Sequence, residues 1–267
     1  MLRVMTWNIR TGGRDRGGRD RWHLLVEVIT AQRPDVLLAQ ELRGFDRPGV
    51  LDDFAAQLGM RPYLARSRLG QPVAVLVRPP LRTLAASPVR RPFHHAAARV
   101  VLATDAGPLT VLCTHLQPYA GGWRRVEAGW LAGALRRAPG RLALLGGDLN
   151  TLAPGGDHTE RLGRLAPAYR RRHLRCDGRT VDSRAVARLL AAGLVDLHPL
   201  VGGADEGLTA PTRLDGGQEF SGMRLDYLLG TPALAERLRD CRVVRGAAAD
   251  IASDHYPVLA DLDLTAG

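Results

Sequence analysis

The chain has 267 residues, 45% of them hydrophobic and 24% charged, a balance that supports a sizeable core and excludes an intrinsically disordered chain. The formal net charge is +10 and all 37 basic residues are arginine, which is compatible with a phosphate-bearing partner without establishing one. No apolar run approaches bilayer length and the N-terminus lacks an apolar signal core, so the expectation is one cytoplasmic, monomeric domain over residues 1–267 with no membrane insertion.

Leu2 to Ile9 alternates apolar and polar residues and is predicted as a first strand ending at Asn8. Thr11 to Asp20 reads as a surface loop, with a phosphate contact as the other reading. Arg21 to Gln32 places Trp22, Leu25, Val26 and Ile29 at helical spacing, and Pro34 ends that helix. Asp35 to Glu41 follows as a buried strand with Gln40 and Glu41 at its tip. A short helix over Leu51 to Leu58 is closed by Gly59, and strands are predicted at Val73–Val77 and at Ala97–Ala103, the latter carrying Arg99. The Gly/Pro turn at 105–108 joins that strand to Leu109–His115 as a hairpin. Arg124 to Arg137 is predicted as an amphipathic helix with Val126, Trp130, Leu131 and Leu135 inward. Tyr119 and Trp123 stand before it, as cleft-lining aromatics or as caps on the core.

Leu142 to Asn150 is the stretch on which the rest depends: four apolar residues, two glycines, then Asp148 and Asn150 two positions apart at a strand tip. The basic run from Arg170 to Arg175 reads as a solvated face or a polyanion contact. A helix capped by Asp182 or Ser183 runs to Leu190, and a Gly-rich stretch covers 201–217. Met223 to Leu229 is predicted as a strand with Asp226 in its middle, a buried carboxylate that requires a partner. A short strand at 242–244 and a last alternating strand, Val258–Leu264, behind Asp254 and His255 complete the chain. Cys113, Cys176 and Cys241 have no metal or redox spacing and read as packing residues in a reducing compartment.

Asn8, Glu41, His115, Asp148, Asn150, Asp226, Asp254 and His255 thus sit at strand ends from the first strand to the last, and only a fold that gathers those tips at one face makes them a site. Carboxylates and an amide are hard oxygen ligands suited to Mg²⁺ or Mn²⁺, and histidines beside carboxylates suit proton transfer or charge stabilisation. Together they describe metal-assisted hydrolysis of a phosphate ester. Asp-His occurs twice, at 157–158 and 254–255, but only the second opens an apolar strand.

Thr6-Trp-Asn-Ile9, Gln40-Glu41, Thr114-His-Leu116, Gly146-Gly-Asp-Leu-Asn150, Arg224-Leu-Asp-Tyr227 and Ser253-Asp-His-Tyr-Pro-Val258 occur in this order, and the ordered set strongly resembles the endonuclease/exonuclease/phosphatase superfamily of DNase I-like enzymes. The resemblance implies an α/β four-layer α-β-β-α sandwich, two mixed β-sheets packed face to face with helices outside. It implies Glu41 as principal metal ligand with Asn8 and Asp254 in or near the shell. Asp148 would orient or deprotonate the attacking water, and Asn150 would hold the phosphate or that water. His255, oriented by Asp226, would bind a phosphate oxygen or act as acid/base. His115 would face the phosphate or protonate the leaving group, and Arg99 stands where some relatives bind phosphate. The carboxylate that pairs with the first histidine in relatives using it as an acid has no identifiable counterpart in the sequence. The implied activity is a Mg²⁺- or Mn²⁺-dependent phosphodiesterase or nuclease acting on DNA or RNA. The alternatives are a phosphomonoesterase, a hydrolase of lipid headgroups or small esters, or an inactive phosphate- or DNA-binding module.

Overall fold

A computed structural model of the protein describes residues 1–15, 18–201, 206–214 and 219–265. Six strands come early in the chain: β1 (Leu2–Asn8), β2 (Val36–Gln40), β3 (Arg61–Ala65), β4 (Val73–Val77), β5 (Thr83–Pro88) and β6 (Ala96–Thr104). Six more follow: β7 (Gly107–His115), β8 (Leu142–Asp148), β9 (Val195–Asp196), β10 (Asp226–Gly230), β11 (Leu238–Val243) and β12 (Val258–Leu262). They form two six-stranded sheets, ordered β11-β12-β1-β2-β4-β3 and β5-β6-β7-β8-β10-β9. Each sheet is mixed, with one parallel pair, β1–β2 in the first and β7–β8 in the second. Helices α1 (Trp22–Gln32) and α2 (Val50–Leu58) cover the first sheet, while α3 (Gly121–Leu135) and a helix at Arg184–Ala191 pack together over the second. This is the expected four-layer sandwich.

The period of two along each strand decides what faces what. In β7, Val111 and Cys113 enter the core between the sheets while Leu112 packs with α3 residues; in β8, Leu144 faces inward and Leu145 outward. Continuing that alternation to the strand ends turns His115 and Asp148 inward. Register then places Asn8 beside Gln40 at the rim of the first sheet, and His115 and Asp226 on either side of Asp148 at the rim of the second. One end of the inter-sheet core is therefore polar because the inward rows end in polar residues there.

Gly146 and Gly147 are fixed by close approach. A Cβ at Gly146 would meet Leu38 Cδ1 of the opposite sheet at 2.4 Å, and one at Gly147 would meet the Thr114 carbonyl oxygen at 1.9 Å. Gly147 also has φ 147°, a conformation that favours glycine. Gly147→Ala is therefore expected to destabilise the fold by ~3 kcal/mol or more, because the clash is with neighbouring backbone rather than a side chain that can turn away. Urea unfolding at unchanged m-value measures it; a loss below ~1 kcal/mol means the two strands separate more easily than this packing implies.

Several elements differ from the sequence expectation. β3 and β5 have no clear apolar alternation because they are edge strands, β3 carrying Pro62 and β5 largely exposed. Asp226 opens β10 rather than sitting in its middle, which brings it to the polar rim. In α3, Leu131 is buried and Trp130 and Leu135 pack against the core as expected, but the inward face extends to residues that apolar spacing does not mark. Val126 is 42% exposed, whereas Arg124 and Glu127 are completely buried. Cys113 and Cys241 are buried, with thiols pushed up to about 12 by burial, but Cys176 is exposed rather than packed. The Gly-rich stretch 201–217 lies partly outside the described residues.

Candidate active site

The polar rim surrounds a cleft of about 170 Å³ whose lining includes Glu41, His115, Asp148, Asn150, Asp254 and His255. The chain reverses sharply where the strands deliver these groups. Glu41, just past β2, and Asn150, just past β8, both hold positive φ, at 58° and 47°. For residues with side chains that conformation is uncommon and strained, and here the surrounding bonds hold it. The Asn150 N–H donates to Asp148 Oδ1 at 2.8 Å, and the Thr11 N–H donates to Glu41 Oε2 at 2.9 Å.

Asn8 joins the two principal acids. Its amide nitrogen donates to Glu41 Oε1 at 3.1 Å and to Asp148 Oδ2 at 3.0 Å, while its oxygen accepts from the Arg10 N–H. Gln71 Nε2 donates to Glu41 Oε2 at 2.9 Å. Burial works against a charge on Glu41. The nearby His115 and His255 rings, the Thr11 N–H and the Asn8 amide nevertheless hold its carboxyl below the usual carboxylate range. Asp148 goes the other way: burial, reinforced by the Asp226 charge, pushes its carboxyl up against the pull of His115 and His255. Two carboxylates bridged by one amide are thus shifted in opposite directions.

The two histidines are anchored differently. His255 Nδ1 lies 2.7 Å from Asp226 Oδ2, and its Nε2 lies 3.9 Å from Asp148 Oδ2. Burial opposes its charge, but the neighbouring Asp226 and Asp148 carboxylates raise its pKa well above the ordinary value. Asp148, Asp226 and His255 bring ligand-type atoms within 4.8 Å of one another. The Asp226 contact also fixes the orientation of the His255 ring. His115 Nε2 lies 2.9 Å from Asn150 Nδ2 and 3.3 Å from Asp148 Oδ2. The other ring nitrogen, Nδ1, is buried without a hydrogen-bond partner, so among the described residues no carboxylate orients His115 from behind.

The order of these residues along the chain, not any local spacing, carries the relationship. The sequence model of the Endonuclease/Exonuclease/phosphatase family matches residues 5–255. The chain belongs to this family. Similar solved structures include an endonuclease/exonuclease/phosphatase family protein from Leptotrichia buccalis C-1013-b, at TM-score 0.71 and 15% identity over 98% of this chain and 100% of that one. An AP endonuclease from Archaeoglobus fulgidus matches at TM-score 0.71 and 22% identity, over 98% of this chain and 100% of that one. The 3′ phosphatase NExo from Neisseria, solved bound to a product DNA hairpin, matches at TM-score 0.66 and 18% identity, over 98% and 100% of the two chains. No curated protein matches the sequence.

In this member of the family, eight of the nine residues singled out from the sequence meet at the polar rim. The ninth, Arg99, does not. It sits in mid-strand on β6 and lines a separate hollow with Arg90, Arg91 and Arg137. Sequence reasoning also missed groups that shape the cleft. Buried Arg124 donates to the carbonyl oxygens of Gln117 and Arg172, and buried Glu127 accepts from the N–H groups of His94 and Gln117. One helical turn of α3 therefore ties three cleft-wall segments together. The His94-His95 pair before β6 was the available signal for a further wall. The His95 ring stacks on His115 with centroids 3.9 Å apart and an interplanar angle of 6°.

Two buried histidines make the cleft acid-sensitive. Burial, with His115 and His94 adding, holds the His95 ring far below its ordinary pKa; burial, then Arg124, Arg172 and His158, pushes His173 down to about 3. Both folded values lie below the unfolded value of about 6.5, so the unfolded chain binds more protons on acidification. The stabilisation is complete above that pH and is lost below it, by up to ~1.4 kcal/mol per pH unit for each ring. For His173 the window runs from the ordinary value of 6.5 down to about 3. The urea midpoint is expected to fall steadily from pH 7 to pH 4.5, with a shallower fall in His173→Asn. Equal slopes for the two proteins would show that His173 titrates alike folded and unfolded.

Proposed function

We propose that this chain is a divalent-metal-dependent phosphodiesterase that hydrolyses phosphate esters of nucleic acid by direct attack of water. The observation that carries this reading is the convergence of Glu41, Asp148 and His255, from three distant parts of the sequence, on one cleft. The fit to a hard cation rests on the donor set. Oxygen donors from Glu41 and Asp254 face the cleft with no thiolate nearby, and several buried polar atoms around it, Gln71 Oε1 and Asp226 Oδ1 among them, lack a protein partner. Glu41, with Asn8 and Asp254 beside it, would hold Mg²⁺ or Mn²⁺. A bound cation supplies charge neutralisation at the phosphate and acidifies the attacking water.

The chain's own groups account for the remaining steps. Asp148 accepts the proton of the attacking water as its oxygen bonds to phosphorus; the raised pKa makes it a competent base. Asn150 holds both reacting neighbours, its backbone N–H on Asp148 and its amide against His115. The His255 imidazolium, oriented by Asp226, stabilises charge on a non-bridging oxygen. His115, whose Nε2 accepts from the Asn150 amide, faces the phosphate in the cleft, and the leaving oxygen takes its proton from solvent water as the ester bond breaks. An inactive binding module is disfavoured, since Glu41, Asp148 and His255 are all present and mutually placed.

The test is hydrolysis of plasmid DNA, single-stranded DNA, RNA, a phosphomonoester and phosphoinositides, each with Mg²⁺, Mn²⁺ or EDTA. Metal-dependent cleavage of a nucleic acid is expected. Cleavage of the monoester or the lipid alone would move the substrate class, and no turnover of any of them with metal bound would overturn the phosphoesterase reading. Among the described residues no helix is long and apolar enough to cross a membrane.

A further inference from the structure

The catalytic cleft is the end of a longer depression. It shares Gln71, His95 and Tyr119 with a second hollow of about 350 Å³. That hollow shares Leu69 and His95 with a cavity of about 640 Å³ between the turn after β3 and the segment joining β5 to β6. A volume of this size lies within the ~300–1,000 Å³ typical of ligand sites. A further hollow of about 340 Å³ continues past Pro88 and Arg91 to Arg99 and Arg137. His95 is the wall common to the first three.

Beyond the catalytic cleft and the adjoining hollow, charge in the two outer cavities has one sign. Arg66, Arg68, Arg90, Arg91, Arg99 and Arg137 line the two outer cavities, and no carboxylate is among their lining residues. Among the described residues these six make no ion pair, whereas Arg3, Arg184 and Arg224 each lie on an aspartate. Arginines without an ion pair among the described residues also occur elsewhere on this arginine-rich surface; what sets these six apart is that they line two adjoining cavities from which carboxylates are absent. The floor between them is apolar, with Phe93 and Ala96 buried and Leu69 73% exposed.

We propose that this trough binds the single-stranded nucleic-acid chain flanking the phosphate in the catalytic cleft. The proposal rests on the phosphoesterase reading of that cleft and adds the substrate class. Arginines track the phosphates while an apolar floor accepts unstacked bases, the two ingredients of single-strand binding without sequence preference. The narrow cleft and its nearly buried acids favour a separated strand over a stacked duplex. A membrane surface fits less well, because only Leu69 offers a prominently exposed aliphatic side chain and the other floor residues are recessed.

The experiment compares wild type with Arg68→Gln/Arg91→Gln, both arginines being exposed and outside the catalytic cleft. Binding of a fluorescent 12-nucleotide single strand is read by anisotropy in EDTA across a salt series, beside the matching duplex and phosphatidylserine vesicles. Hydrolysis of bis(4-nitrophenyl) phosphate with Mg²⁺ is measured separately. The double variant is expected to bind the single strand at least tenfold more weakly at low salt, with a log–log salt slope shallower by ~0.7 for each phosphate that is no longer neutralised. Its hydrolysis of the small ester should be unchanged. Equal single-strand binding by both proteins, tighter binding of duplex than of single strand, or vesicle binding that the variant loses would each overturn the proposal. If wild type fails to cleave the small ester while the variant still loses strand binding, the trough assignment stands and the catalytic reading falls.

Discussion

Asp148→Asn is expected to lower kcat by at least ~10²–10⁴-fold on whichever substrate the wild type cleaves, the range for loss of a positioned general base. It removes the proton acceptor while preserving shape, and the Asn150 N–H still finds an oxygen. The stability change is expected to have the opposite sign. Burial and Asp226 raise the folded-state pKa of Asp148, so its ionised form costs stability at every pH above the unfolded value. Removing the charge removes that cost, and the melting temperature at pH 7 should equal or exceed that of wild type, the usual trade between a strained site and a stable one. Steady-state kinetics and a thermal scan decide the matter together. A variant within tenfold of wild-type kcat would refute Asp148 as the base. One that is inactive but melts well below wild type would show that the aspartate holds the rim together.

The fold was legible where burial on both faces leaves an apolar run, as at β2 and β8, where apolar and polar residues alternate, as at β1 and β12, and where a Gly/Pro turn marks a hairpin, as at β7. It was not legible at β3 and β5, where an edge strand has one unpaired side and little to bury. The site was legible as an ordered set because each of its residues stands at or beside a strand end, where the strand pattern marks its position. What escaped were groups defined only by tertiary contact. Gln71 reaches Glu41 from the turn before β4, and nothing in its neighbourhood in sequence marks it. Arg124 and Glu127 escaped for another reason. Apolar periodicity assigns the buried face of a helix by hydrophobicity, and α3 buries a charged pair because three loops leave backbone groups there to be satisfied. Arg99 is the converse, a residue of the right type near the right strand whose place in mid-strand carries it away from the cleft.

Asp226→Asn carries the second large effect, because it acts on catalysis without touching the phosphate. Asp226 Oδ2 holds His255 Nδ1 at 2.7 Å, fixing the ring so that Nε2 faces Asp148 and the cleft. An asparagine can present either an acceptor or a donor to Nδ1, and in the donor orientation the ring must carry its proton on the wrong nitrogen. The charge that favours the imidazolium is lost as well. A comparable loss on an unrelated fold, the aspartate of a serine-protease triad, costs ~10⁴ in kcat. In the proposed mechanism His255 stabilises charge rather than moving the essential proton, so a fall of ~10²–10³ is expected, the range for one missing charge-stabilising donor. The sign of the pH effect follows from the raised pKa of His255. In wild type the raised pKa extends the charged form of the ring to higher pH, and its contribution to stability is present below the unfolded value of 6.5 and lost only as pH rises through the folded value. In the variant that loss moves to lower pH, so the alkaline limb of the rate profile should shift toward neutrality and the His255 ring resonance should titrate nearer its ordinary value. A uniform drop in rate with no displacement of either curve would mean that Asp226 serves packing at the start of β10 and leaves the charge on His255 to Asp148.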